Sequence, residues 1–139
     1  RLFVCIQFHE ENMEILDQLK FDEKGLITAV VQDIDTNQIL MVAYMNREAV
    51  KKTIIGNLAC FWSRSRQEFW IKGQTSGHTQ TVKSVSVDCD GDALLVKVEQ
   101  KGGACHMGYQ SCFFREISMT GEQTKIVSQK VFEPNQVYT

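Results

Sequence analysis

A mainly β, α+β fold with antiparallel sheets and two helices is what this sequence predicts. Three observations carry that expectation. Across residues 60–132 the chain is built of short runs rich in β-branched and aromatic residues. Val85 and Val87 alternate with Ser84 and Ser86, and Leu94, Val96 and Val98 alternate across Lys97, the period of two expected of half-buried strands. Helical signals are confined to two stretches, residues 10–19 and the segment that follows Asn46.

Taken in order, Leu2 to Phe8 is apolar-rich and reads as an N-terminal strand or a helix lead-in. It is broken by Gln7 and followed by His9-Glu10-Glu11 with no small-residue cleavage site, so no secretion signal is expected and the chain is expected to be cytoplasmic. Met13, Ile15, Leu16 and Leu19 give residues 10–19 an amphipathic pattern. Residues 26–32 and 39–45 read as two strands of a hairpin around Asp35-Thr36-Asn37. Asn46 is a natural N-cap for a helix running to Ile55, with Gly56 placed to stop it. Strands are then expected at residues 60–63, 69–72, 81–87, 94–98, 112–117 and 126–132, with turns at Gly102-Gly103 and Gly121. The only proline is Pro134, and no linker, repeat or low-complexity tract interrupts the chain.

The 139 residues suit one domain at roughly 100–200 residues per domain, and residues 1–20 precede the motif-bearing part with no assigned role. Hydrophobic residues at 43% and charged residues at 23% place the chain among globular proteins. Fifteen basic against 17 acidic side chains, a net charge of -2, argue against a nucleic-acid partner, since such proteins neutralise phosphates with a basic face. The longest apolar run, residues 39–45, is far short of the ~20 residues that span a bilayer, so no membrane partner is expected. Five cysteines, an odd number, argue against a disulfide framework and for thiols used as ligands or nucleophiles. Cys5 and Cys60 sit in apolar runs and read as small core residues.

The densest chemical signal is Asp88-Cys89-Asp90-Gly91-Asp92. On an extended backbone Asp88, Asp90 and Asp92 would project to one side and Cys89 to the other. Clustered carboxylates repel, and a hard cation such as Mg²⁺ or Ca²⁺ relieves them; an acidic solvated turn is the plainer reading. It is not an EF-hand loop, because Ala93 stands where that loop needs glycine. Cys89, Cys105 and Cys112 are not spaced as the paired CxxC knuckles of a structural zinc site. Three protein ligands with a fourth position open to water is instead the pattern of a catalytic zinc, which lowers the pKa of bound water to about 7. His106, beside one of those thiols, is a candidate for proton transfer; His9 and His78 read as unremarkable rings.

A third cluster joins Phe61-Trp62-Ser63-Arg64-Ser65-Arg66 to Trp70-Ile71-Lys72-Gly73-Gln74-Thr75-Ser76-Gly77-His78. Arg64, Arg66, Lys72 and Lys83 against Glu68 alone give this stretch a local charge of +3 (4 − 1) in an acidic protein. Arginine forks, loop N–H groups and hydroxyls suit phosphate, and Trp62 and Trp70 offer faces on which a base can stack. A solvated hairpin turn is the competing reading, and the order of a Walker loop is absent.

Together with Ala93-Leu94-Leu95 and Cys105-His106-Met107-Gly108, then Ser111-Cys112-Phe113-Phe114, these motifs resemble the phosphoribosyl-AMP cyclohydrolase family of histidine biosynthesis. Four motifs in the right order cover most of residues 21–117. The resemblance implies a hydrolase that opens the N1–C6 bond of the adenine ring in 1-(5-phosphoribosyl)-AMP, giving the formimino-carboxamide ribotide. It further implies an interleaved homodimer with one zinc per subunit, bound by Cys105 and Cys112 of one chain and Cys89 of the partner subunit. Asp88, Asp90 and Asp92 would bind Mg²⁺. His106 would position or deprotonate the attacking water. Trp62, Arg64, Arg66, Lys72, Gly73, Thr75, Ser76 and Gly77 would bind substrate. Gln74 stands where the family usually has an acidic residue, and Met107 also departs from it. The 139 residues are expected to be too few to include the pyrophosphohydrolase domain fused to this enzyme in some organisms, so action on phosphoribosyl-ATP is not expected.

Two other readings compete. A nucleotide deaminase would also activate water at zinc, but its HxE…PCxxC signature is missing. A structural zinc module would make His106 a fourth ligand and close the site.

Overall fold

The computed structural model describes residues 14–137, so the expected strand or lead-in at Leu2 to Phe8, with Cys5 and His9, lies outside the described residues. The helix expected over residues 10–19 is, in its described part, a single 3-10 turn, Glu14–Gln18. Only Leu16 reaches the core, at 2% exposure, while Ile15 is half exposed; one buried side chain gives no helical face to extend.

Eight strands follow: β1 (Leu26–Asp33), β2 (Ile39–Asn46), β3 (Cys60–Ser63), β4 (Glu68–Ile71), β5 (Gln80–Val87), β6 (Ala93–Gln100), β7 (Arg115–Ile117) and β8 (Thr124–Ile126). Helix α1 (Arg47–Gly56) connects β2 to β3, and a short helix α2 (Pro134–Val137) follows β8. The architecture is mainly β, as expected. Four strands form one sheet in the order β2-β1-β6-β5, while β3-β4 and β7-β8 are separate antiparallel hairpins. One pairing departs from the antiparallel expectation: β1 and β6 run parallel, from Thr28 opposite Ala93 to Asp33 opposite Val98. Strand β1 has β2 on one edge, and the β5-β6 hairpin closes the other; the alternation of Leu94, Val96 and Val98 shows a buried face but not the direction of the neighbour.

The core lies between this sheet, α1 and the β3-β4 hairpin. Phe61, Leu40, Val31, Val96 and Val98 are fully buried. Helix α1 begins where expected, with the Asn46 side chain accepting from the N–H of Ala49 at 2.9 Å. It ends one residue later than expected: Gly56 is its last residue, and Asn57 takes the left-handed cap conformation at φ 60. Asparagine tolerates that region through local hydrogen bonding. Thr53 Oγ1 ties α1 to β3 by donating to the Cys60 carbonyl (3.1 Å) and accepting its N–H (3.0 Å). Cys60 is buried at 2% exposure, the core role expected of it. The strand expected at 112–117 is shorter, with residues 112–114 irregular and β7 three residues long, and the one expected at 126–132 is displaced: β8 shares only Ile126 with it, and residues 127–132 are irregular.

Candidate active site

Cys105 and Cys112 come together through two anchored loops. The N–H of Ala104 donates to Gln110 O and that of Cys105 to Tyr109 O, both at 3.0 Å, closing a tight loop over residues 105–109. At its tip the N–H of Met107 donates to Cys105 Sγ at 3.4 Å, which fixes the position of the sulfur. Cys112 is pinned to the start of β2: its N–H donates to Leu40 O at 2.7 Å, and the Ser111 hydroxyl donates to Ile39 O at 2.7 Å. Stacked rings of Tyr109 and Phe114, 3.9 Å between centroids, pack the two loops together. Burial first, and the charge and hydrogen bonding of Cys105 next, push the Cys112 thiol up to about 11, with Lys72 opposing them. Lys72 is 8% exposed and donates its Nζ to the Ala104 carbonyl at 2.5 Å. Burial draws its pKa down, and the neighbouring thiols of Cys112 and Cys105 draw it up. The sequence placed Lys72 among phosphate-binding groups; the structure sets it against the thiol pair.

Cys89 does not join that pair within one chain. It is exposed in the β5-β6 turn, and among the described residues only Asp88, Asp90 and Asp92 gather three ligand atoms within 4.8 Å. The trio is a possible metal site, but the backbone that builds it is not the extended strand the spacing suggested. It is a tight turn with Gly91 at φ +79. Asp88 Oδ1 accepts the N–H groups of Asp92 (3.0 Å) and Ala93 (3.3 Å), curling the carboxylates toward one another. Desolvation is the largest single influence on Asp88 and raises its pKa, but the hydrogen bonds from the backbone and side chain of Asp92 and the backbone of Ala93 and Gly91 together outweigh it and hold the carboxyl low; the hydrogen bond and charge of Asp88 push Asp92 up. Residues that carried no expected role support this turn: Lys20 donates its N–H to Gly91 O at 2.7 Å.

The segment after β4 folds as a continuous turn over residues 72–76. Gly73 is required there, at φ +85, because a Cβ would lie 2.5 Å from the backbone of His78 and Thr79. The Gly77 N–H returns to Gly73 O at 2.8 Å, and Ser76 Oγ accepts the His78 N–H at 3.1 Å. This loop lines a cavity of about 750 Å³ shared with Arg66, Trp70, Lys72, Thr75, Ser76 and His106. The sequence named most of these side chains and did not foresee Pro134 and Asn135, which line the same cavity. The lone proline, suited to the first turn of a helix, was the available signal for α2.

Two predicted substrate residues lie elsewhere. In the β3-β4 hairpin Phe61 pairs with Trp70 and Trp62 with Phe69, so the two tryptophans start from opposite faces. Arg64 lies over the Tyr44 ring, 4.0 Å from its centroid, at a second hollow of about 540 Å³ lined by Trp62 and again by Trp70. Arg66 and Arg64 therefore border adjoining hollows that share Trp70.

An exposed histidine beside a buried thiol in sequence, a hydroxyl-bearing loop and the basic groups of Arg66 and Lys72 gather at one cavity, the kind of lining found in enzymes that act on small polar molecules. The family model of phosphoribosyl-AMP cyclohydrolase matches residues 41–114. A phosphoribosyl-AMP cyclohydrolase of Methanosarcina barkeri is 58% identical over 122 residues, 88% of this chain and 90% of its own. One from Chlorobium chlorochromatii is 50% identical over 129 residues, 93% of each chain, and one from Pelotomaculum thermopropionicum is 56% identical over 123 residues. The chain belongs to the phosphoribosyl-AMP cyclohydrolase family.

Proposed function

We propose that this enzyme hydrolyses the N1–C6 bond of the adenine ring in 1-(5-phosphoribosyl)-AMP, giving the formimino-carboxamide ribotide of histidine biosynthesis, as a metal-dependent homodimer in the cytoplasm. Membership of the phosphoribosyl-AMP cyclohydrolase family supports that reading. The observation that carries the assignment of roles is the cavity that sets His106, next to a buried thiol, among Arg66, Thr75 and Ser76. Its volume lies in the range of small-molecule sites. Among the described residues no helix is long and apolar enough to cross a membrane.

The donor sets fit two different ions. Cys105 and Cys112 lie close enough for the charge of one to act on the other, and a pair of sulfur ligands is the soft donor set that selects zinc. Cys89, exposed and apart from that pair, completes the site as Cys89 of the partner subunit. The oxygens of Asp88, Asp90 and Asp92 suit a hard cation, Mg²⁺. When bound, zinc supplies Lewis acidity that makes water nucleophilic near neutral pH. His106 orients the attacking water and takes its proton as the bond to C6 forms and the electron pair of the N1–C6 bond leaves with N1. Arg66, Thr75, Ser76 and the N–H groups between Gly73 and Gly77 hold one phosphate, while Trp62 and Arg64 hold the other in the adjoining hollow. Lys72 balances the charge of the thiol pair at the cavity floor.

The test is turnover of phosphoribosyl-AMP by protein stripped of metal and then restored with Zn²⁺ and Mg²⁺. Activity should return only with metal. His106→Asn should retain zinc and lose about 100-fold or more in kcat, the usual contribution of a positioned acid-base group. Loss of zinc together with His106 would make it a ligand and sink the assignment.

A further inference from the structure

Beyond β8 the chain does not continue as a strand but straps across the loop that bears His106. The N–H of Val131 donates to Gly108 O at 2.7 Å, and that of Phe132 points to the same oxygen at 3.4 Å. Glycines on either side of Cys105 and His106 are where the strap fits. A Cβ on Gly108, whose φ is +100, would lie 2.7 Å from Phe132 O. A Cβ on Gly103 would lie 2.8 Å from Cε1 of the Phe132 ring and 3.0 Å from Val131 Cγ2. The same ring meets His78 edge-on with centroids 4.6 Å apart, and the His78 ring occupies the space beside Gly102. Past Phe132 the chain turns into Pro134 and Asn135, which wall the cavity together with His106.

We propose that Phe132 is a positioning residue of the active site: wedged over Gly103 and against His78, it seats the strap that fixes the His106 loop and the Pro134–Asn135 wall. The proposal rests on the reading that His106 acts in that cavity. It extends the site beyond residues 41–114, where the family match lies, into a segment whose sequence reads only as another strand. Phe132 is partly exposed and belongs to neither buried cluster, so its loss removes a seat rather than the core.

Comparing Phe132→Ala with Phe132→Leu in the full chain tests this. In isotope-labelled protein without substrate, Phe132→Ala should shift the ring signals of both His78 and His106, while Phe132→Leu, which refills the space over Gly103, should return that of His106 toward its original position. In turnover Phe132→Ala should lower kcat by up to about 100-fold, the scale of a misplaced catalytic group, with Phe132→Leu recovering most of it. An unchanged His106 signal with kcat within about twofold of the parent would overturn the proposal. Should the alanine variant not fold, Phe132→Val takes its place: too small to refill the space over Gly103, it should shift the His106 signal where Phe132→Leu does not, and equal, unshifted His106 signals in both would overturn the proposal. Because the ring signals are read without substrate, absence of turnover in the parent protein would count against the proposed reaction and leave this readout intact.

Discussion

Lys72 places its ammonium 2.5 Å from the carbonyl oxygen of Ala104, the residue before Cys105, and no carboxylate pairs with it among the described residues. A buried ammonium is costly without a counter-charge, and the groups beside it able to become anions are the two thiols. Lys72→Met should therefore weaken zinc binding by about 10- to 100-fold, the effect of removing a group that supports metal ligands. Competition against a chromophoric chelator measures this directly. Unchanged zinc affinity with a raised KM would return Lys72 to the phosphate site.

Cys112 gives the metal-free protein a pH signature. Its thiol is raised from 9.0 to about 11 by burial and by Cys105, so the folded state holds that proton more tightly than the unfolded chain. The stabilising contribution is fully present below about 9 and is lost as pH rises through about 11. Lys72, whose pKa is lowered by burial, acts in the opposite sense. The quantity to read is thus the difference in denaturation midpoint between the parent and Cys112→Ser across that window. A difference that does not shrink as pH rises would contradict the placement of the thiol.

Much of this was legible in the sequence, and the gaps have physical causes. Strand β3 falls where the run Cys60-Phe61-Trp62-Ser63 puts it, and Asn46 caps α1, because both are dictated by local chemistry. The parallel partnership of β1 and β6 was not legible, since alternation reports which face is buried and not which strand lies alongside. Residues 127–132 have strand-like composition, yet Val131 and Phe132 direct their N–H groups to Gly108, a tertiary partner no local pattern announces. In the site, residue types named the cavity's members, but burial alone separated Lys72 from Arg66, and register alone set Trp62 and Trp70 on opposite faces.

Asp88 and Asp90 sit in one cluster but do different work. Asp88 Oδ1 caps the turn through two N–H groups, whereas no hydrogen bond within the turn uses the Asp90 side chain. Asp88→Ala should lower the unfolding midpoint, because two turn N–H groups lose their acceptor, and also weaken Mg²⁺ binding. Asp90→Asn should weaken Mg²⁺ binding and leave the unfolding midpoint nearly unchanged. Thermal unfolding and calorimetric titration with Mg²⁺ separate the two; equal destabilisation by both variants would mean that the turn, not a cation, is what the trio serves.

Arg64 and Arg66 are two residues apart in sequence but border different hollows. If each hollow holds one of the two phosphates of phosphoribosyl-AMP, each arginine contributes a charge-assisted contact of about 1.5–3 kcal/mol, which is about 10- to 100-fold in KM. Arg64→Ala and Arg66→Ala should each raise KM on that scale and leave zinc content unchanged. The two hollows share Trp70 but neither arginine, so if each arginine holds its own phosphate the double variant should show close to the product of the two increases. A mononucleotide such as AMP, with one phosphate, supplies the discriminating measurement. Its inhibition constant should respond strongly to one arginine substitution and weakly to the other. Equal sensitivity to both, or a double variant no worse than either single one, would mean that a single phosphate site draws on both side chains.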